Sequence, residues 1–241
     1  MKKLISAIIF STFFINGTAQ AAIDNFREAK IEMVKIFKQL DSPKTIYCGC
    51  DIIFPKKGYM PDLDSCNYEV LKNESRAKRI EAEHIMPAWE FGHARECWIE
   101  GKRKNCEQND KEFMKIEGDL HNLYPSVGEV NADRSNFKFT DAFEDKKMTG
   151  SSKINGYGKC DMKIDRKRQR AQPPKRSRGL VARAYLYMSE QYNIKLDADH
   201  INLFNKWNKQ YKPDANECLR NKLIKEVQGN DNPFVTKACK F

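Results

Sequence analysis

Apolar residues recur at helical spacing early in the chain. Phe26, Met33, Phe37 and Leu40 fall on one face and predict an amphipathic helix from about Asp24 to Leu40. Thr45 to Phe54 then reads as extended chain, ended by the turn signal Pro55-Lys56-Lys57-Gly58. A second extended segment is expected from Arg79 to Ile85, with Pro87 biasing Met86 away from helix. Ser126-Val127-Gly128-Glu129 has the form of a capping box, in which Ser126 and Glu129 satisfy each other's backbone donors. It predicts a helix carrying Asn131, Arg134 and Asn136, against the poor helix formers Gly128 and Asn131. The second half is read as helical. Leu180, Val181, Ala184, Tyr185 and Met188 share one face, as do Phe204, Trp207 and Tyr211 after the acidic start Asp197 and Asp199. Leu219, Leu223 and Val227 share another, with Gly229 as a C-terminal cap. Strands and helices without a βαβ rhythm argue for an α+β fold.

The first residues stand apart. Lys2 and Lys3 precede the apolar stretch Leu4 to Ile15, and Ala19-Gln20-Ala21 supplies small residues at a cleavage position. This is the form of a secretory signal peptide, residues 1–21, with cleavage after Ala21. The alternative is an uncleaved anchor, but the run is short for a membrane span and no later stretch matches it. Residues 22–241 then form one domain, since no Gly/Ser linker or internal repeat divides them.

The leader holds two of the 43 Lys and Arg and none of the 33 Asp and Glu, so the remainder carries +8. Such an excess points to nucleic acid, with an anionic membrane surface as the rival partner. It is concentrated from Lys163 to Arg183, where Lys163, Arg166, Lys167, Arg168, Arg170, Lys175, Arg176, Arg178 and Arg183 face only Asp165. Gln172-Pro173-Pro174 makes this stretch a loop, able to neutralise several phosphates without reading bases. Export also sets the reading of the eight cysteines, Cys48, Cys50, Cys66, Cys97, Cys106, Cys160, Cys218 and Cys239. An even count implies four disulfides, of which 105 arrangements exist. Cys97 with Cys106 is a plausible local bridge across the polar loop Glu100 to Asn105, and Cys239 should tether the tail. Zinc is disfavoured because no C-x-x-C or H-E-x-x-H occurs.

The chemistry concentrates in Glu83-His84. A histidine can accept a proton from water near neutral pH, and a carboxylate can hold a hard divalent cation. Together on a basic protein they suggest phosphodiester hydrolysis. Adjacent strand residues point to opposite faces, so serving one site requires a strand end, a bulge or an exposed edge. Among the other histidines, His93 reads as structural and His200 as a surface residue. His121 could be either structural or functional. Arg134 could contact phosphate or anchor its helix, and Asn122 could orient a loop or join a metal shell.

Several separated motifs resemble one family. Glu83-His84 with Pro87-Ala88-Trp89-Glu90-Phe91-Gly92-His93, Gly101-Lys102-Arg103-Lys104-Asn105-Cys106 and Asp119-Leu120-His121-Asn122-Leu123 are similar to bacterial periplasmic endonuclease I. So are Pro125 through Phe137 and Gln228-Gly229-Asn230 to Cys239, so the resemblance covers essentially the whole chain after the leader. Ala82 departs from it, where a tryptophan is expected. The resemblance implies a helix-rich, disulfide-stapled single domain of the α+β class around a ββα-metal (His-Me finger) core. By position, His84 would be the general base, with Glu83 and Asn131 as metal ligands. Arg103 would stabilise phosphate charge, and Glu117 would support the site. The family resemblance also implies cleavage of DNA and RNA with little sequence preference, leaving 5′-phosphate ends. One carboxylate, one amide oxygen and several waters suit Mg²⁺, although Mn²⁺ or Ca²⁺ could occupy the same oxygen site. The expectation is a monomeric, periplasmic or secreted endonuclease. The alternatives are an exported nucleic-acid-binding protein without catalysis and a disulfide-rich module for an acidic partner.

Overall fold

Helix α1 (Phe26–Phe37) begins where Asn25 accepts the Glu28 N–H at 3.1 Å, as an N-cap should. Its buried stripe of Ala29, Met33, Ile36 and Phe37 is the periodicity seen in the sequence, packed on the core. The computed structural model describes residues 23–56, 58–144 and 156–239. The expected leader lies outside these residues, as does Lys57 of the predicted turn.

Only Asp51–Ile53 of the next predicted extended segment is a strand, β1, paired antiparallel with β2 (Met60–Asp62). Thr45 to Cys50 instead closes on itself. The Thr45 N–H donates to Cys50 O at 2.9 Å, the Cys50 N–H donates to Thr45 Oγ1 at 3.0 Å, and Gly49 takes φ +70°. Two disulfides leave this loop, Cys48–Cys160 and Cys50–Cys66, and the sequence pattern cannot register either.

A short helix, α2 (Glu74–Ala77), leads into β3 (Ile80–His84). β3 pairs antiparallel with β4 (Leu123–Val127), placing Glu83 opposite Tyr124 and His84 opposite Leu123. Between them lie α3 (Ala88–Gly92), α4 (Glu96–Asn109) and α5 (Lys111–Glu117). The expected polar loop Glu100 to Asn105 is helix on either side of a break. Gly101 and Lys102 leave helical geometry, Lys102 at φ +61°, and the Cys97–Cys106 disulfide spans the break.

Helix α6 (Gly128–Arg134) follows β4 directly and packs on both strands, giving a strand–strand–helix unit. It is there as predicted, but the capping box is not. Val127 is the N-cap, Ser126 belongs to β4, and Asn136 lies beyond the helix end. Glu129 is drawn away by better partners. It accepts from Tyr68 Oη at 2.7 Å and from the N–H groups of Leu71, Lys72 and Asn73 at 3.1, 2.7 and 2.6 Å.

The remaining strands, β5 (Lys138–Phe139), β6 (Lys163–Asp165) and β7 (Arg170–Gln172), form a sheet in the order β5-β7-β6. The basic run predicted as a loop is therefore a hairpin followed by the start of α7 (Lys175–Tyr192), with Pro173 and Pro174 marking only the junction. Helices α8 (Ala198–Gln210) and α9 (Ala215–Gln228) are capped by Asp197 and Asp214, and Gly229 ends α9 at φ +90°. Helix α10 (Pro233–Thr236) precedes Cys239, which is tethered to Cys218. Trp207, Tyr185 and Tyr187 are core residues. The protein is one α+β domain held by four disulfides, and the local Cys97–Cys106 bridge is among them.

Candidate active site

A cleft of about 550 Å³ runs along β3, and all five residues from Ile80 to His84 line it. Phe26, Lys30, Arg103, Asn131 and Arg134 contribute to its walls. β3 is hydrogen-bonded to β4 on one side only. A strand that presents consecutive side chains to one cleft is presenting its edge, which is how Glu83 and His84 meet in one place despite the alternation of strand side chains.

His84 is 7 % exposed and packed beside Phe26, with ring centroids 4.6 Å apart. Its Nε2 donates to the Glu117 carbonyl at 2.8 Å, which fixes the tautomer and leaves Nδ1 as the acceptor. No described residue bonds Nδ1. Burial, reinforced by the nearby Arg103 charge, pushes the imidazole pKa down to about 3, so the ring is neutral at ordinary pH.

Glu83 is held from behind. Its Oε1 accepts from Tyr47 Oη at 2.6 Å and pairs with Arg134 Nη1 at 3.2 Å. Burial pushes this carboxyl up to about 7, while Arg134 and the Tyr47 hydrogen bond favour the ionised form. Arg134 also donates to the carbonyls of His84 at 3.0 Å and Ile85 at 2.6 Å, so it anchors the end of β3 as well as α6. Asn122 completes the anchorage, bonding both the N–H and the C=O of Met86 at 2.7 and 2.9 Å. That fully buried amide is spent on backbone and has nothing left for a metal.

Arg103 sits just past the break in α4. Its Nε reaches Glu117 Oε1 at 2.6 Å and Glu107 Oε1 at 3.0 Å. Burial pushes the Glu117 carboxyl up to about 7, with Arg103 pulling the other way. Asn131 turns its amide nitrogen to Glu81 Oε2 at 2.8 Å, leaving the amide oxygen for the cleft. Sequence reasoning passed over Glu81. The signal was available, because Glu81 and Glu83 are two apart on one strand and so share a face. Tyr47 and Arg134 were not legible as partners of Glu83, being 36 and 51 residues away.

The donor set can be tested against a divalent cation. Glu83 Oε2 and Asn131 Oδ1 have no partner among the described residues, and both belong to cleft-lining side chains. Among the described residues, no three or more His, Cys, Asp or Glu gather as a closed metal cage, and all eight cysteines are in disulfides. Two oxygen donors at an open cleft fit a hard cation that keeps much of its water, and do not fit zinc.

The family model of Endonuclease I matches residues 25–239 of this chain. The chain belongs to the endonuclease I family. It is 50% identical over 230 residues to a periplasmic deoxyribonuclease of Aeromonas hydrophila, spanning 95% of this chain and 92% of that one. It is 49% identical over 218 residues to an extracellular deoxyribonuclease of the same organism, spanning 90% of each. It is 44% identical to Endonuclease-1 of Buchnera aphidicola subsp. Baizongia pistaciae, spanning 98% and 96%. This endonuclease I family member is periplasmic or secreted, and no described helix is long and apolar enough to cross a membrane.

The structure does not keep the basic run together. Arg178 is 3 % exposed, donates to Pro173 O and lies over the Trp207 ring, so it cannot meet a phosphate. Arg183 is buried against Glu217. Arg176 is exposed but spends its Nη2 on the carbonyls of Thr45 and Ile46, each at 3.1 Å. Arg168 pairs with Asp165, Arg166 with Asp133 and Lys163 with Asp161. Lys167, Arg170 and Lys175 are exposed. None of these nine residues lines the cleft that holds His84. His121 is buried with Nε2 on Asn230 O, His93 stacks on Trp89, and His200 pairs with Asp197, all outside the cleft.

Proposed function

We propose that this protein is an exported endonuclease that hydrolyses phosphodiester bonds of DNA and RNA with little sequence preference, leaving 5′-phosphate ends. Residues 1–21 would direct export and be removed after Ala21. The observation that carries the reading is the arrangement of His84. Its Nε2 is committed to the Glu117 carbonyl, its ring is neutral, and its Nδ1 remains unbonded in the cleft shared with Glu83, Arg103 and Asn131.

His84 Nδ1 takes the proton of the water that attacks phosphorus, as a general base. Arg103 offsets negative charge on the scissile phosphate, where its guanidinium costs no reorganisation because Glu117 already holds it. Glu117 thus positions two groups, Arg103 through its carboxylate and His84 through its carbonyl. Glu83 and Asn131 would hold a divalent cation, Mg²⁺ by its fit to oxygen donors and water, with Mn²⁺ or Ca²⁺ in the same place. When bound, the cation supplies Lewis-acid stabilisation of charge on the phosphoryl and leaving oxygens. The ββα-metal reading of β3, β4 and α6 rests on this use of their residues.

Supercoiled plasmid incubated with the oxidised protein tests the proposal. Mg²⁺-dependent nicking that EDTA abolishes and fresh Mg²⁺ restores is expected. Plasmid binding without any nicking would favour the non-catalytic alternative.

A further inference from the structure

Helix α6 does more than bring Asn131 to the cleft. Its first turn carries Glu129, whose buried carboxylate grips three consecutive backbone N–H groups at Leu71, Lys72 and Asn73. Asn73 in turn caps α2 by accepting the Arg76 N–H at 3.1 Å. Gly128, at the start of α6, lets the segments touch. A Cβ there would lie 2.6 Å from the Arg76 carbonyl, and its own N–H donates to Arg79 O at 2.9 Å. The stretch from Lys72 to Arg79 is therefore clamped to the same helix that lines the cleft.

Two carboxylates organise the cations of this stretch. Glu81, which bonds Asn131 inside the cleft, is gripped by Arg76 and Arg79. Asp133, next to the cleft-lining Ala132, is gripped by Lys72 and by Arg166 from the β6–β7 hairpin. The acids lie underneath and the cations on top. Glu81 and Asp133 side chains are 18% and 3% exposed, whereas those of Lys72, Arg76, Arg79 and Arg166 are 49%, 32%, 55% and 46% exposed. The outward face of the ridge is positive, and its side chains are already ordered by the acids beneath.

The geometry points to a phosphate track: Lys72, Arg76, Arg79 and Arg166 form a pre-organised ridge that holds the nucleic-acid backbone beside the cleft. This rests on the nuclease reading above. It relocates the binding surface from the contiguous basic run to a ridge in which only Arg166 comes from that run. The ridge contacts phosphate alone, so it binds without reading bases and serves DNA and RNA alike.

The test is the salt dependence of binding to a fluorescent DNA duplex, read by anisotropy in EDTA so that no cleavage occurs. In Lys72→Gln/Arg79→Gln each carboxylate keeps one partner, Arg166 for Asp133 and Arg76 for Glu81, which protects the fold. Losing two phosphate contacts should lower the slope of log K against log salt by about 1.8 and weaken binding at least about tenfold near physiological salt. Lys209→Gln/Lys222→Gln removes the same charge from α8 and α9 and should leave the slope within about 0.3 of the parent. The double ridge variant should keep the parent's unfolding midpoint and Mn²⁺ affinity. Equal slopes for the ridge variant and the parent would overturn the track while leaving the nuclease reading standing, and so would an equal loss in the α8–α9 control. A parent protein with no affinity for DNA at low salt would overturn both.

Discussion

Arg134→Met should be among the most damaging single changes in this protein, and the reason can be isolated. The guanidinium is 1 % exposed and stands 3.2 Å from the Glu83 carboxylate, itself 3 % exposed. Removing one partner of a buried ion pair strands the other charge and costs about 3–5 kcal/mol. Arg134 also serves the carbonyls of His84 and Ile85, so part of the loss is unrelated to Glu83. A double-mutant cycle separates the two parts. In the Glu83→Gln background the stranded charge is gone, and Arg134→Met should cost only the two carbonyl bonds and altered packing over Phe139, about 1–3 kcal/mol. The coupling should therefore exceed about 1.5 kcal/mol. Urea unfolding followed by circular dichroism, on oxidised protein in EDTA at about pH 9 so that the Glu83 carboxyl, pushed up to about 7, is ionised, provides all four corners. Additivity within about 0.5 kcal/mol would refute the claim that the Glu83 charge is what Arg134 stabilises.

Further predictions concern catalysis, acid and cross-links. His84→Ala should slow plasmid cleavage by at least about 10²–10⁴-fold while retaining plasmid binding in EDTA, and near-parental nicking by metal-stripped, Mg²⁺-restored protein would remove His84 from the mechanism. Burial holds His121 neutral and lowers its pKa from 6.5 to about 4, so below pH 6.5 the unfolded chain takes up a proton that the folded one refuses. That contribution is present above pH 6.5 and is lost as pH falls towards 4, by up to about 1.4 kcal/mol per pH unit. His121→Gln should flatten the stability profile in this window, and an unchanged slope would contradict the assignment. Chain entropy ranks the disulfides by loop length. Opening Cys48–Cys160, 112 residues apart, should cost about 4.8 kcal/mol against about 2.6 for Cys97–Cys106, nine apart, as paired Cys→Ser variants in urea can check.

Local chemistry along the chain determined a good deal. The stripe of α1, the Asp197 start of α8 and the glycine end of α9 each depend on residues within about one turn of each other, and sequence spacing carries that information. The Glu83-His84 motif, readable for the same reason, lies in the cleft of the candidate site. Sequence alone was misleading wherever a side chain had a distant choice of partner. Ser126 and Glu129 have capping-box spacing, yet Glu129 finds four donors between Tyr68 and Asn73, and the box does not form. Nine basic residues between Lys163 and Arg183 look alike in one dimension, but folding buries Arg178 and Arg183 and leaves Lys167 and Arg170 in water. Whether a guanidinium binds substrate or supports the fold depends on which carboxylate or carbonyl comes to meet it. In this protein those partners arrive from other strands and helices, so the disulfide pairing and the Tyr47–Glu83–Arg134 cluster were settled only by the tertiary structure.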